Sequence, residues 1–127
     1  MFVDPLVNLF ADQVLPSVEF YQRHFGFVET FRTPLEDPVH VELALGTFTI
    51  AVSARSAGRA DHGLELVAGP PQVDLVFWCD DADEAYTELL AAGVPGVVAP
   101  HDAGANRTGF LLDPAGHLVS VVSRRRT

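Results

Sequence analysis

The chain has 127 residues, of which 48% are hydrophobic, a size that suits one domain able to bury about two thirds of its unfolded surface. Acidic residues outnumber basic ones by 17 to 8, and the net charge of −9 opposes nucleic-acid binding and favours a cationic ligand, although acidity also serves solubility alone. No apolar run approaches the roughly 20 residues of a membrane span, and no signal-peptide pattern is present, so we expect a cytoplasmic protein without membrane contact.

The first half of the chain predicts the order strand, helix and three strands. Residues 6–10 have strand character, and residues 15–26 carry helix signals, with Pro16 suited to the first turn and Gly26 to the residue after the end. Three apolar residues at helical spacing support this helix: Val18, Tyr21 and Phe25. The three strands are predicted at residues 27–32, 40–46 and 47–53.

The second half repeats this order after residues 54–72, which are rich in Gly and Ala, contain a Pro-Pro pair and are predicted to be an irregular connector. A strand at 73–79 and a helix at 80–93 come first, with Asp80 or Asp81 as the N-cap and Gly93 as the stop. The remaining strands are predicted at residues 96–100, 107–113 and 117–123, with a turn at 113–116. Three arginines, residues 124–126, are predicted to form a solvated tail.

The two halves indicate an internal duplication within one domain, residues 1–127. We predict an α+β fold of two tandem βαβββ units, about 5–53 and 73–123, forming a curved mixed sheet around a cleft with the helices on the outer face. Alternation along the strands places His40 and Glu42 on the face that no helix covers, and Asp74 with Trp78 on the corresponding face of the second unit. The candidate ligand-binding residues are Asn8, Phe10, His40, Glu42, Phe48, Asp74, Trp78, Phe110 and Ser120.

Trp78 is the strongest aromatic candidate because it shares a face with Asp74, whereas each phenylalanine serves a core equally well. The single cysteine, Cys79, cannot form an internal disulfide and is predicted to be a buried strand thiol.

The paired units, the helix end "SVEFYQRHFGF" and the turn and strand "DPAGHLVSVV" resemble the vicinal oxygen chelate superfamily over about residues 5–123. That superfamily includes glyoxalase I, extradiol dioxygenases, fosfomycin resistance enzymes and bleomycin resistance proteins. The resemblance implies that His and Glu metal ligands would stand on the first and fourth strands. The matching places here hold Leu6 (with Asn8 as the nearest polar residue), Ile50 or Ala51, Asp74 and Ser120.

Such a set is poor for a transition metal, which needs two or more converging imidazole or carboxylate donors. The resemblance therefore implies a binding protein of the bleomycin resistance type, with no metal, cofactor or catalytic residue, that sequesters a cationic or aromatic natural product as a homodimer. The alternative is a metal-dependent lyase, isomerase or dioxygenase, for which His40 and Glu42 would be the rescuing pair. The absence of Lys beside abundant Ala, Gly, Val and Arg fits a GC-rich bacterial source.

Overall fold

A computed structural model describes residues 2–126 of the chain, which divides into two compact units, Met1–Ala68 and Gly69–Thr127. The first unit contains β1 (Val7–Ala11), α1 (Val14–Phe25), β2 (Val28–Thr33), β3 (His40–Leu45), β4 (Phe48–Ala54) and α2 (Arg55–His62). The second contains β5 (Asp74–Trp78), α3 (Ala82–Ala91), β6 (Gly96–Ala103), β7 (Asn106–Leu112) and β8 (Leu118–Arg124). The predicted order of one strand, one helix and three strands is confirmed in both units.

The first unit has a four-stranded mixed sheet in the order β1-β4-β3-β2, in which β1 runs parallel to β4 and the other pairs are antiparallel. Helix α1 packs against β3 and β4, and Tyr21 is fully buried, as are four aliphatic side chains of these strands. These side chains are Val41, Leu43, Ile50 and Val52. The helix ends as predicted at Gly26, whose φ of 77° is a left-handed conformation that glycine adopts without strain.

The second unit repeats this topology in the order β5-β8-β7-β6, with β5 parallel to β8. Helix α3 packs against β6, β7 and β8. Its N-cap is Asp81, whose Oδ1 accepts a hydrogen bond from the backbone N–H of Glu84 at 3.1 Å. On β7, Gly109 lets the Tyr86 ring approach the sheet, because a Cβ there would lie only 2.9 Å from Tyr86 Cδ2.

The predicted connector is wrong over residues 55–62, which form α2. This segment lacks an apolar stripe, so its sequence gave no helical periodicity to detect. The helix is held by tertiary contacts instead: the Arg55 side chain is 8% exposed and pairs with Asp12 at 3.0 Å, and Gly58 lies against the ring of Phe10. The helices within residues 2–126 are all too short or too polar to cross a membrane.

Candidate ligand-binding site

In each unit, one sheet face packs against α1 or α3, and the opposite face is called here the open face; in the first unit, α2 lies against Phe10 on part of that face. On the open face of the first sheet, four polar side chains form one hydrogen-bonded chain. Ser53 Oγ donates to Asn8 Oδ1 at 2.8 Å and lies 2.8 Å from His40 Nδ1. His40 Nε2 lies 2.9 Å from Glu42 Oε2. Three predicted site residues, Asn8, His40 and Glu42, are therefore brought together.

Ser53 joins these residues and was missed from the sequence. It lies directly opposite His40 in the β3–β4 pairing and opposite Phe10 in the β1–β4 pairing, so it shares their face. A correct assignment of the β3–β4 register would have identified Ser53 as a candidate site residue, because side chains at paired positions lie on the same side of a sheet. The Phe31 ring approaches His40 from β2, with 6.2 Å between the ring centroids.

The register of β4 also decides which residue occupies the fourth-strand place. Asn8 pairs with Ala51, whereas Val7 pairs with Ile50, so Ala51 lies on the open face and Ile50 faces α1. Phe48 has the same parity as Ile50, and its ring centroid lies 6.4 Å from that of Phe27. The structure therefore places Phe48 on the helix side, away from the other candidate residues of the first sheet.

The open face of the second sheet presents Asp74, Val76 and Trp78 in a row along β5. Val76 is 52% exposed and Trp78 is 58% exposed, both high values for apolar side chains on a strand. The buried Ser120 hydroxyl on β8 donates to Asp74 Oδ2 at 3.1 Å. This hydrogen bond holds the carboxylate next to an apolar and aromatic surface.

Two further contacts shape this face. The Arg124 guanidinium carbon lies 5.3 Å from the centroid of the Trp78 ring, a cation–π contact, so Arg124 departs from the solvated tail predicted for residues 124–126. Phe110 lies opposite Ser120 in the β7–β8 pairing, and its ring is nearly parallel to that of His101 with 6.4 Å between centroids. The predicted residues Asp74, Trp78, Phe110 and Ser120 thus share one face.

Comparison with known proteins identifies the family from which these two sheets descend. Residues 4–121 match the model of the Glyoxalase/Bleomycin resistance protein/Dioxygenase superfamily. The chain belongs to this superfamily. An uncharacterized protein of Mycobacterium bovis is 28% identical over 124 residues, covering 91% of this chain and 80% of the relative.

Solved structures of this superfamily's fold share the architecture at low sequence identity. TioX from Micromonospora sp. ML1 has a TM-score of 0.74 and 22% identity, covering 98% of this chain and 100% of that chain. Lactoylglutathione lyase from Agrobacterium tumefaciens has a TM-score of 0.72 and 21% identity, covering 95% and 92%. At these identities the likeness establishes the fold alone.

The residues at the superfamily's metal-ligand places do not fit a divalent metal ion. These places hold Leu6, Ala51, Asp74 and Ser120, which together offer one carboxylate and one hydroxyl. Transition metals in proteins are held by three or more converging imidazole, thiolate or carboxylate groups. Across residues 2–126, no three His, Cys, Asp or Glu side chains come together in that way, and His40 with Glu42 supplies only two donors.

Cys79 follows the last residue of β5 and is half-buried, so it is not the buried strand thiol that was predicted. Its partial burial raises the pKa of the thiol, and the negative charges of Asp80 and Asp81 add to the shift. Because the thiolate is the reactive form, we expect iodoacetamide to alkylate Cys79 more slowly at pH 8 than it alkylates an unstructured cysteine peptide. Asp80→Asn should lower this pKa and speed alkylation at pH 8, with the rates converging at higher pH. Glu88→Gln removes an equal charge from α3 and should leave the rate unchanged; an equal acceleration would contradict the local effect of Asp80.

Proposed function

We propose that this protein binds a small organic ligand, cationic or aromatic, and does so without a metal ion. The observation that carries the proposal is the row of Asp74, Val76 and Trp78 on the open face of the second sheet. A carboxylate beside an exposed indole ring is a surface that attracts a flat cation, because the ring offers a π face and the carboxylate an opposite charge. The net charge of −9 adds long-range attraction for such ligands.

The arrangement of Asp74 supports a binding role over a purely structural one. Its Oδ2 atom accepts a hydrogen bond from the Ser120 hydroxyl, which fixes the orientation of the carboxylate. The residue itself remains exposed at the end of β5, where an incoming cation can reach it. A prealigned charge loses less freedom when a ligand binds, and this increases affinity.

The second candidate function is catalysis, and the chain of Asn8, Ser53, His40 and Glu42 is the observation that favours it. An imidazole hydrogen-bonded to a carboxylate is a common general acid–base pair. A lyase, isomerase or dioxygenase of this superfamily would require a metal ion, for which the matching places offer only one carboxylate and one hydroxyl, so binding without turnover remains the proposal.

We further propose a cytoplasmic homodimer. Edge strands β2 and β6 carry exposed valines, among them Val28 and Val97, and such apolar edges are commonly covered by a partner. Sedimentation equilibrium should give a mass close to twice 13.7 kDa. A concentration-independent monomer would overturn the dimer.

Asp74→Asn tests the proposed function. The binding of cationic and neutral aromatic compounds, bleomycin among the cations, is followed by quenching of Trp78, which is the only tryptophan. We expect Asp74→Asn to lower the affinity for cationic ligands about five- to tenfold, corresponding to roughly 1 kcal/mol for a partly exposed charge pair. The affinity for neutral aromatic ligands should stay almost unchanged. Glu88→Gln, which removes one negative charge from α3, should weaken neither group.

Each titration is repeated after chelator treatment, and the ligand is recovered and analysed. Quenching that survives the chelator, with the ligand recovered unaltered, supports sequestration. Quenching that is lost with the chelator and restored by a divalent ion, or a ligand recovered in altered form, favours the enzyme. Equal losses of affinity for cationic and neutral ligands in Asp74→Asn would contradict an electrostatic role for Asp74.

A further inference from the structure

The open face of the second sheet carries opposite charges at its two ends. Asp74 begins β5 and lies opposite Leu118, the first residue of the parallel strand β8, whereas Arg124 is the last residue of β8. Leu118 and Arg124 are an even number of residues apart, so Arg124 shares this face with Asp74. The exposed side chains of Val76 and Trp78 follow Asp74 along β5, so apolar surface separates the carboxylate from the guanidinium.

The guanidinium of Arg124 differs from those of the other arginines in this unit. Its carbon lies 5.3 Å from the centroid of the Trp78 ring, and among residues 2–126 no carboxylate lies within 4.0 Å of it. Three further arginines each pair with an aspartate: Arg107, Arg125 and Arg126. A guanidinium carries five N–H donors in a planar fork that matches a carboxylate, so Arg124 offers a ligand carboxylate a contact beside an aromatic ring.

Both charges on this face are held in place by the fold. At the end of β8, the backbone N–H of Arg125 donates to the carbonyl oxygen of Ala105 at 2.9 Å, which fixes the strand where Arg124 leaves it. At the other end, the Ser120 hydroxyl donates to Asp74 Oδ2 at 3.1 Å. Groups that are positioned before a ligand arrives lose less freedom when it binds, so both charges are suited to recognition.

We propose that this face selects an elongated zwitterion with an aromatic body. The cationic group of the ligand lies at Asp74, its aromatic part on the Trp78 ring and its carboxylate at the Arg124 guanidinium. A simple cation gains at Asp74 but is repelled by Arg124, and a simple anion has the opposite difficulty. Only a ligand that carries both charges gains at both ends, and this requirement gives the site specificity.

The spacing along β5 sets the length of this ligand. Asp74 and Trp78 are four strand residues apart, which corresponds to about 13 Å between their Cα atoms. An extended tripeptide with free termini spans about 10 Å, and the side chains of Asp74 and Arg124 reach across the remaining distance. A single amino acid carries both charges on one carbon atom and therefore reaches only one end of the row.

The proposal is tested with the tripeptide Ala-Phe-Ala in four forms that differ only at the termini. With free termini it is a zwitterion at pH 7, as the C-terminal amide a cation, as the N-acetyl derivative an anion, and with both ends blocked it is neutral. Quenching of Trp78, the only tryptophan, gives the affinities. We expect the zwitterion to bind about fivefold more tightly than the cation or the anion, because each blocked end removes one exposed ion pair.

Two results with these peptides would overturn the proposal. If the amide binds as tightly as the zwitterion, the carboxylate makes no contact with Arg124. If the N-acetyl derivative binds as tightly as the zwitterion, the ammonium group makes no contact with Asp74. Free phenylalanine serves as the length control and should bind no more tightly than its own amide; a fivefold advantage for free phenylalanine would contradict the proposed spacing.

Substitutions assign each ion pair to its residue. In Arg124→Gln the advantage of the zwitterion over the amide should disappear, whereas its advantage over the N-acetyl derivative should persist. In Asp74→Asn the two ratios should exchange roles. Arg126→Gln, which removes an arginine paired with Asp81, should retain both advantages. An unchanged ratio of zwitterion to amide in folded Arg124→Gln would contradict the carboxylate contact, and the peptide comparison on the unsubstituted protein does not depend on how any variant folds.

This inference rests on the proposed function, but the two fail in different ways. If the amide binds and the zwitterion binds no more tightly, the second sheet binds cations as proposed and only the selection of a zwitterion is wrong. If neither the peptides nor the cationic and aromatic compounds quench Trp78, the proposed function is wrong and the inference fails with it.

Discussion

Asp113→Ala is expected to destabilise the protein by about 3 kcal/mol, a large share of the stability of a domain of this size. Asp113 is 4% exposed, and its Oδ1 accepts the backbone N–H groups of Ala115 at 2.9 Å and His117 at 2.8 Å. These bonds shape the turn that aligns β7 with β8, in which the N–H of Gly116 also returns to the Asp113 carbonyl at 3.1 Å. Alanine leaves both donors without their side-chain acceptor.

Urea unfolding followed by circular dichroism measures this loss, and the midpoint should fall by more than about 1 M. Asp113→Asn keeps an oxygen at the accepting position and should retain much of the stability, because the amide carbonyl can accept the same two bonds. Asp61→Ala, an exposed position on α2, controls for the general loss of a carboxylate. A midpoint for Asp113→Ala equal to that of Asp61→Ala would show that the turn does not depend on this side chain.

The turn at residues 113–116 was predictable from the sequence because its residues act locally. Proline at the second position and glycine at the fourth are favoured by the backbone angles of the turn itself, and Gly116 indeed has a φ of 90°. Helix α1 was predictable for a similar reason, since the spacing of its apolar residues and the glycine at its end, Gly26, are signals contained within the helix sequence itself. Helix α2 was not predictable, because the contacts of Arg55 with Asp12 and of Gly58 with Phe10 join residues distant along the chain.

The same distinction explains what was predictable about the site. Alternation within one strand correctly placed His40 with Glu42, and Asp74 with Trp78, since a strand turns successive side chains to opposite faces whatever its neighbours are. The choice between Ile50 and Ala51 depended on the register between β1 and β4, which no single strand encodes. For the same reason, the sequence did not predict that Ser53 belongs to the site. Nor did it predict the contact between Arg124 and Trp78, which links the end of β8 to β5.

Trp78→Ala is expected to weaken both cationic and neutral aromatic ligands roughly 30-fold, equivalent to about 2 kcal/mol for the loss of a stacking and cation–π surface. The side chain is 58% exposed, so its removal should cost little folding stability and the loss should fall on binding. Isothermal titration calorimetry replaces fluorescence here, because the variant has no tryptophan. Trp78→Phe should recover part of the affinity, and Phe2→Ala, which truncates a fully exposed aromatic residue, should have no effect.

We expect Arg124 to influence which ligand charge the proposed binding surface favours. Its guanidinium lies 5.3 Å from the ring centroid, so it competes with a cationic ligand for one ring face and repels it. Arg124→Gln should therefore raise the affinity for cationic ligands several-fold in the same calorimetric assay. Arg126→Gln, which alters the contact with Asp81, should leave this affinity unchanged. Weaker binding of every ligand in Arg124→Gln would instead make the guanidinium part of the binding surface. Because a guanidinium attracts negative charge, that result would shift the favoured ligand from a cation to an aromatic anion.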